Sequence, residues 1–350
     1  MNIFGMTCAE VAAEMSRRYG RGEHHAVALY REIFKKGCLG SFENAPEFRA
    51  SPALTRRLAR DVRTPDCAIT GSLEDGVLKF TAGLHDGNGI ESVIIPARSR
   101  ATLCVSSQAG CRMGCGFCAT GMHGFVRSLS AEEIVWQVYA ARHILKRHID
   151  NIVFMGMGEP FDNFDNVIRA IRVMGDQRGL DIALSHVTIS TAGHADGIKK
   201  LAEAEMPGLR LAVSINAADD KVRGELMPIN KKYPLGILKK SLLAFPLRKK
   251  GVFFIEYVLL SGINDSREMA GKLALYLKGL PVRVNVITYN GGASLPYSPP
   301  SGEQVKRFCD RLVEENIFVR KRQSYGRDIL AGCGQLVSTR PSGHSGSAAI

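Results

Sequence analysis

Cys111, Cys115 and Cys118 share one short loop at the spacing C-x-x-x-C-x-x-C, with Phe117 directly before the last of them. Three thiolates so placed can bind three irons of a 4Fe-4S cube and leave the fourth iron open. An open iron can chelate the amino and carboxylate groups of S-adenosylmethionine (SAM) and pass an electron to its sulfonium. Zinc is the alternative occupant, but structural zinc takes four ligands, and only His123 offers a further one nearby. Gly156-Met157-Gly158-Glu159-Pro160 adds glycines for close backbone approach to a ligand and a carboxylate that can accept from an ammonium group. Alone it reads as a tight turn; beside the cysteine loop it reads as cofactor binding. Cys333, in Gly332-Cys333-Gly334-Gln335, is an accessible thiol on a flexible loop, and Cys104 lies just before the cluster loop. Two thiols facing one site can shuttle a covalent intermediate by thiolate attack and disulfide formation. Cys8, Cys38, Cys67 and Cys309 read as small buried hydrophobes, and Met155 and Met157 as core or cavity lining.

These groups need a scaffold that brings them together. Six strand candidates stand out at Thr102–Ser106, Asn151–Met155, His186–Ser190, Arg210–Ile215, Val252–Leu260 and Val282–Thr288. Helical patterns separate them, the clearest opening on the capping box Ser130-x-x-Glu133, others from about Asp196, Ser266 and Ser301. Repeated βα units of this length predict an α/β fold with a parallel sheet curled into a partial (βα)6 barrel over residues 101–337. The unusual motifs fall just after successive strands. In a parallel barrel those ends share the face on which active sites are built. Before the barrel, residues 1–65 read as short basic amphipathic helices facing RNA, and 66–100 as a β-rich connector with Gly turns. The polar tail 338–350 reads as disordered.

Composition narrows the setting. The 350 residues carry 46 Lys and Arg against 34 Asp and Glu, a formal charge of +12 that favours polyanions, with nucleic acid the commonest partner. No apolar run approaches ~18 residues, so no membrane partner is expected. An odd count of 9 cysteines argues against a secreted disulfide framework and for a reducing, cytoplasmic setting.

Taken together, Cys104-Val105-Ser106-Ser107-Gln108-Ala109-Gly110-Cys111, the three-cysteine loop, Gly156-Met157-Gly158-Glu159-Pro160, Val187-Thr188-Ile189-Ser190-Thr191 and Ala331-Gly332-Cys333-Gly334-Gln335-Leu336 resemble the RlmN/Cfr group of radical SAM RNA methyltransferases. The resemblance runs from the N-terminal helices to Leu336 and is carried most specifically by the paired cysteine signatures. It implies a radical SAM barrel, one 4Fe-4S cluster on Cys111, Cys115 and Cys118, and two SAM molecules per turnover. Cys333 would take a methyl group from the first. A 5′-deoxyadenosyl radical from the second would remove hydrogen from that methyl, and the carbon radical would add to an adenine ring carbon, carbon 2 or carbon 8. Cys104 would resolve the protein–RNA adduct, and Glu91 falls where the family carries its proton acceptor. The implied SAM contacts are Gly158, Glu159, Ser190, Ser214, Asn216 and Asn290; the implied partners are 23S rRNA, tRNA as a further substrate, and an electron donor such as flavodoxin or ferredoxin. Two positions depart from the pattern: Asn216 where members usually carry His, and Val126 in Gly124-Phe125-Val126-Arg127 where they carry Asn, which suggests a divergent paralogue. Two other functions compete: a radical enzyme with a protein or small-molecule substrate, and an RNA-binding protein stabilised by zinc.

Overall fold

The computed structural model describes residues 1–337 except 66, 98, 292–294, 323–325 and 327; the tail expected from Ser338 lies outside the described residues. One sheet of ten strands organises the chain: β1 (Ile69–Glu74), β2 (Val77–Gly83), β3 (Gly89–Ala97), β4 (Arg100–Cys104), β7 (Asn151–Phe154), β8 (Val187–Thr191), β9 (Arg210–Ser214), β10 (Phe253–Leu259), β11 (Val282–Thr288) and β12 (Val319–Arg322), adjacent in that order. A separate hairpin pairs β5 (Gln108–Gly110) with β6 (Phe125–Ser128). From β4 to β12 neighbouring strands run parallel, which requires a crossover between each pair. All six expected strands are present within a residue or two. The sheet exceeds the expected (βα)6 by a seventh parallel strand, β12, and β1 to β3, within the β-rich connector, extend it antiparallel from β4.

The crossover helices form where local signals place them. Ser130 accepts from Glu133 N while Glu133 reaches back to the Ser130 amide, so helix Ala131–Tyr139 starts with both orphan donors satisfied. Ser301 and Gln304 form the same box at Gly302–Glu314, and Ser266 caps Arg267–Leu277 by accepting from Met269 N. The N-terminal helices pack on this barrel through Phe4, whose ring lies 5.1 Å from those of Phe34, Trp136 and Tyr139. Arg169 donates to Gly5 O, and Cys8 N donates to Asp176, 2.7 Å away. No described helix is long and apolar enough to cross a membrane.

Candidate active site

The C-terminal ends of the parallel strands open on a pocket lined by Cys111, Cys115, Cys118, Gly158, Glu159, Ser190, Ser214, Asn216 and Cys333. Nine of the twelve residues singled out in the sequence therefore meet at one place, across more than two hundred residues of chain. Phe117, Phe154, Val258 and Ile287 complete a largely apolar wall, which excludes water from reactive intermediates.

The cluster loop is fixed at both ends. Gly116 N donates to Leu226 O at 3.0 Å, and Ala119 N donates to Gly334 O at 2.7 Å, so the loop is bonded directly to the Cys333 loop. Thr120 Oγ1 donates to Leu336 O at 2.6 Å. Burial pushes the Cys111 thiol up to about 12 and the Cys115 thiol higher; such groups stay protonated until a metal displaces the proton. His123, the one candidate for a fourth ligand, is exposed, absent from the pocket wall, and pairs through Nδ1 with Ala119 O at 2.8 Å. Among the described residues no three Cys, His, Asp or Glu side chains are grouped to hold a single ion. The donor set thus fits a cube that takes one thiolate per iron, and fits poorly with zinc.

Opposite the cysteines, the Gly156–Pro160 turn is compressed against the cluster loop. Gly158 has φ +95°, and a Cβ there would stand 2.5 Å from Gln108 Cβ; at Gly156 it would stand 2.7 Å from Val105 O. Neither contact is tolerable, so both positions require glycine. Gln108 Oε1 accepts the Glu159 amide at 2.9 Å. The Glu159 carboxylate accepts from Ala192 N at 2.7 Å and Phe161 N at 3.2 Å. Burial pushes it up to about 7 against those hydrogen bonds, and an ammonium group entering the pocket would draw it down again.

The remaining three expected residues stand behind the pocket. Cys104 ends β4, buried, with its thiol pushed far up by burial and then by Cys333. The exposed surface of Cys333 is pocket wall; burial, then the Glu256 carboxylate, push its thiol up, and Arg322 opposes them. Asn290 lies beneath Gly332, where a Cβ would come 2.4 Å from Asn290 Nδ2. Its Oδ1 is buried with no hydrogen-bond partner, an acceptor left for a ligand. Glu91 in β3 sits under the C-terminal loop: Oε1 pairs with Lys79 Nζ at 2.7 Å and Oε2 accepts Val337 N at 2.9 Å.

Two functional groups escaped the sequence reading. Glu256 lines the pocket from the middle of β10 and accepts from Asn285 Nδ2 at 2.7 Å on its register partner; a lone carboxylate within the apolar run of β10 was the available signal. Arg223 is fully buried and donates to Ile215 O (3.0 Å), Ala192 O (2.7 Å), Ser214 O (3.3 Å) and Asn230 Oδ1 (2.7 Å), tying together the turns after β8 and β9. Its helix, Asp220–Leu226, reads as solvated, and nothing local marks it.

A barrel with three cysteines at this mouth defines the radical SAM class, and residues 105–274 match the family described as the Radical SAM superfamily. A radical SAM methyltransferase from Sphaerobacter thermophilus, known from its crystal structure, superposes with a TM-score of 0.88 at 34% identity, covering 96% of this chain and 99% of that one. "Probable dual-specificity RNA methyltransferase RlmN 1" of Protochlamydia amoebophila (strain UWE25) is 39% identical over 337 residues, 96% of this chain and 94% of the relative. "Dual-specificity RNA methyltransferase RlmN" of Halorhodospira halophila (strain DSM 244 / SL1) is 44% identical over 291 residues, 82% and 80% of the two chains. The chain belongs to the RlmN family of radical SAM RNA methyltransferases.

Proposed function

We propose that this protein methylates an adenine ring carbon, carbon 2 or carbon 8, of 23S rRNA and also of tRNA, by way of S-methylcysteine at Cys333, in the cytoplasm. The observation that carries the reading is that Cys333 lines the same pocket as Cys111, Cys115, Cys118 and Glu159. The three cysteines would hold one 4Fe-4S cluster, which when bound supplies the electron that cleaves SAM, fed by flavodoxin or ferredoxin. Two SAM molecules would be used per turnover, one as methyl donor and one as radical source.

The chain's own residues then have separable tasks. Glu159 accepts from the ammonium group of SAM, and the Gly156–Pro160 turn lets the backbone approach it. Ser190, Ser214, Asn216 and the unpartnered Asn290 Oδ1 offer further hydrogen bonds. Cys333, as thiolate, attacks the methyl carbon: the new S–C bond forms as the sulfonium–methyl bond breaks, and S-adenosylhomocysteine leaves. Cys104 later attacks the Cys333 sulfur of the RNA adduct, forming a disulfide and releasing the methylated base. Glu91 takes the ring proton, which requires the Lys79 pair to open toward the base. The N-terminal helices of residues 1–65 are the accessory unit, 66–100 the connector and 101–337 the barrel. A target inside folded RNA must be unstacked to reach the pocket.

Mass spectrometry of nucleosides from rRNA and tRNA of cells with and without the gene tests the proposal. One methyladenosine is expected to vanish with the gene and return with wild type but not with Cys333→Ala. Full methylation by Cys333→Ala refutes the thiol route.

A further inference from the structure

The parallel strands have a second mouth. Side chains alternate along a strand, so the residues sharing the pocket's face recur at every second position. Stepping back from Ser214 gives Ala212 and then Arg210; from Ile287, Asn285 and then Arg283; and from Arg322, the register partner of Ile287, Arg320. Register agrees: Phe254 pairs with both Ala212 and Arg283, and Asn285 with Arg320. At the N-terminal strand ends these arginines meet Arg100 of β4 and Arg248 and Lys250 from the turn before β10, around a cleft of about 890 Å³.

That cleft is electrostatically unfinished. Its lining holds six cations and one carboxylate, Glu205, and among the described residues none of the six is in an ion pair. Asp150, the neighbour of Arg100, already accepts Ala101 N and pairs with His148. Arg283 lies over the Phe318 ring at 5.3 Å, which leaves its donors free. Burial, and then the charges of Arg248, Arg100 and Arg283, hold half-buried Arg210 below its ordinary value. Several cations of the N-terminal helices are instead partnered: Glu14 takes Arg17 and Arg18, Glu32 takes Arg31 and Lys36, and Arg57 stacks on Tyr19. Like charges gathered in a concave site repel unless a counter-charge occupies it, and guanidinium forks match phosphate oxygens. Strand β12 runs between the cleft and the pocket end of the sheet: Arg320 lines the cleft, and Arg322 pairs in register with Ile287 of the pocket wall. Edge strand β12 carries Arg320, Lys321 and Arg322, all exposed, and Arg322 is among the charges felt by Cys333.

We propose that this lower mouth, reached along β12, is a second RNA-docking site that holds backbone phosphates of the substrate away from the target nucleotide. Four steps of β9 set the two mouths about 13 Å apart at ~3.3 Å per residue, but a barrel interior is packed and not a pore, so RNA engaging both must pass around the outside, a path longer than the target loop alone. The inference rests on the RNA reading above.

The test is binding of the reconstituted full-length protein to a 23S rRNA domain transcript across a salt series, for wild type, Arg210→Gln/Arg283→Gln and Lys250→Gln/Arg320→Gln. Each phosphate contact contributes roughly 0.7–0.9 to the log–log salt slope. Each double variant should therefore lower the slope by about 1.5 and weaken binding roughly tenfold near 0.15 M salt, while a minimal hairpin bearing only the target loop binds all three proteins alike. The thermal midpoint should hold or rise, because repulsion is relieved; the exposed Lys250/Arg320 pair serves if the first variant folds poorly. An unchanged slope in both variants overturns the proposal. So does an unchanged slope with a midpoint raised by inorganic phosphate in wild type alone, which would assign the cleft to free oxyanions. Wild type that fails to bind the transcript overturns the RNA reading itself.

Discussion

Arg223 is a buried cation without a carboxylate partner, and replacing it should separate geometry from charge. Burial holds its guanidinium below its ordinary value, so the folded state keeps it charged only by supplying acceptors. It supplies four: three backbone carbonyls and Asn230 Oδ1, between 2.7 and 3.3 Å. Hydrogen bonds to a charged group each contribute about 1.5–3 kcal/mol net, and each acceptor left buried and unpaired costs about 1–3 kcal/mol. Arg223→Met relieves the desolvation of the cation but strands the acceptors, so the sum should be a loss of about 3–5 kcal/mol, near the upper end for single substitutions. In a chain of 350 residues that lowers the thermal midpoint by about 4–7 °C. Arg223→Lys keeps the charge but concentrates three donors on one nitrogen, which cannot span acceptors on two turns; it should fall between wild type and Met. The assay is a fixed-rate thermal scan of the metal-free protein, with SAM affinity of the reconstituted protein as second readout, because Ala192 N anchors Glu159 at 2.7 Å. A Met variant within about 2 °C of wild type would refute the reasoning, as would Lys scoring below Met.

Other tests isolate single groups. Cys333→Ala should retain the brown cluster and reductive SAM cleavage yet form no methylated RNA, read by release of 5′-deoxyadenosine against methyl incorporation. Cys104→Ala should accumulate a covalent protein–RNA species under turnover, and a gel without that species would count against its resolving role. Glu159, raised to about 7 by burial, must ionise to receive an ammonium group, so SAM affinity should climb with pH through 7 and level off above it. Between pH 6 and pH 8 the gain is about tenfold, or about 1.4 kcal/mol; Glu159→Gln should bind weakly with a flat profile. Asn216→Ala should lower the thermal midpoint by about 5 °C through the strained backbone and the lost hydrogen bonds, and Asn216→His by less.

The parallel strands were legible because each is an apolar run bounded by turn residues, and the helix starts because Ser130, Ser266 and Ser301 announce caps. β12 was not, since three of its four side chains are cations. That composition suits an exposed sheet edge, where charge discourages pairing with another chain, but it reads locally as loop. Hairpin β5–β6 was hidden because its first strand is three residues inside a chemical motif. The cluster and cofactor turns could be read from side-chain chemistry and their place after strands. Arg223 and the lower arginines could not, because burial and mutual proximity are properties of the folded sheet. In the basic N-terminus Arg17 and Arg18 lie within one helical turn of Glu14 and pair with it, a local spacing that the sequence shows directly.

The two departures from the family pattern act at different depths. Asn216 has φ +56°, a left-handed backbone that Asn and His both tolerate better than most residues, so the position demands a conformation before it demands a contact. Its Oδ1 accepts Val258 N at 2.8 Å, its Nδ2 donates to Met227 Sδ at 3.2 Å, and its backbone carbonyl accepts from Asn264 Nδ2. The side chain thereby joins the end of β9 to β10 and keeps a second Nδ2 hydrogen for a ligand, beside the polar groups of Ser190, Ser214 and Asn290. Val126 stands half-exposed on β6, one residue from Arg127, whose guanidinium pairs with Glu133 and Asp86. Divergence at 216 therefore alters how the wall is braced and divergence at 126 changes an exposed side chain beside the Arg127 ion pairs, while the five cysteines assigned to radical and methyl chemistry are at positions distinct from both.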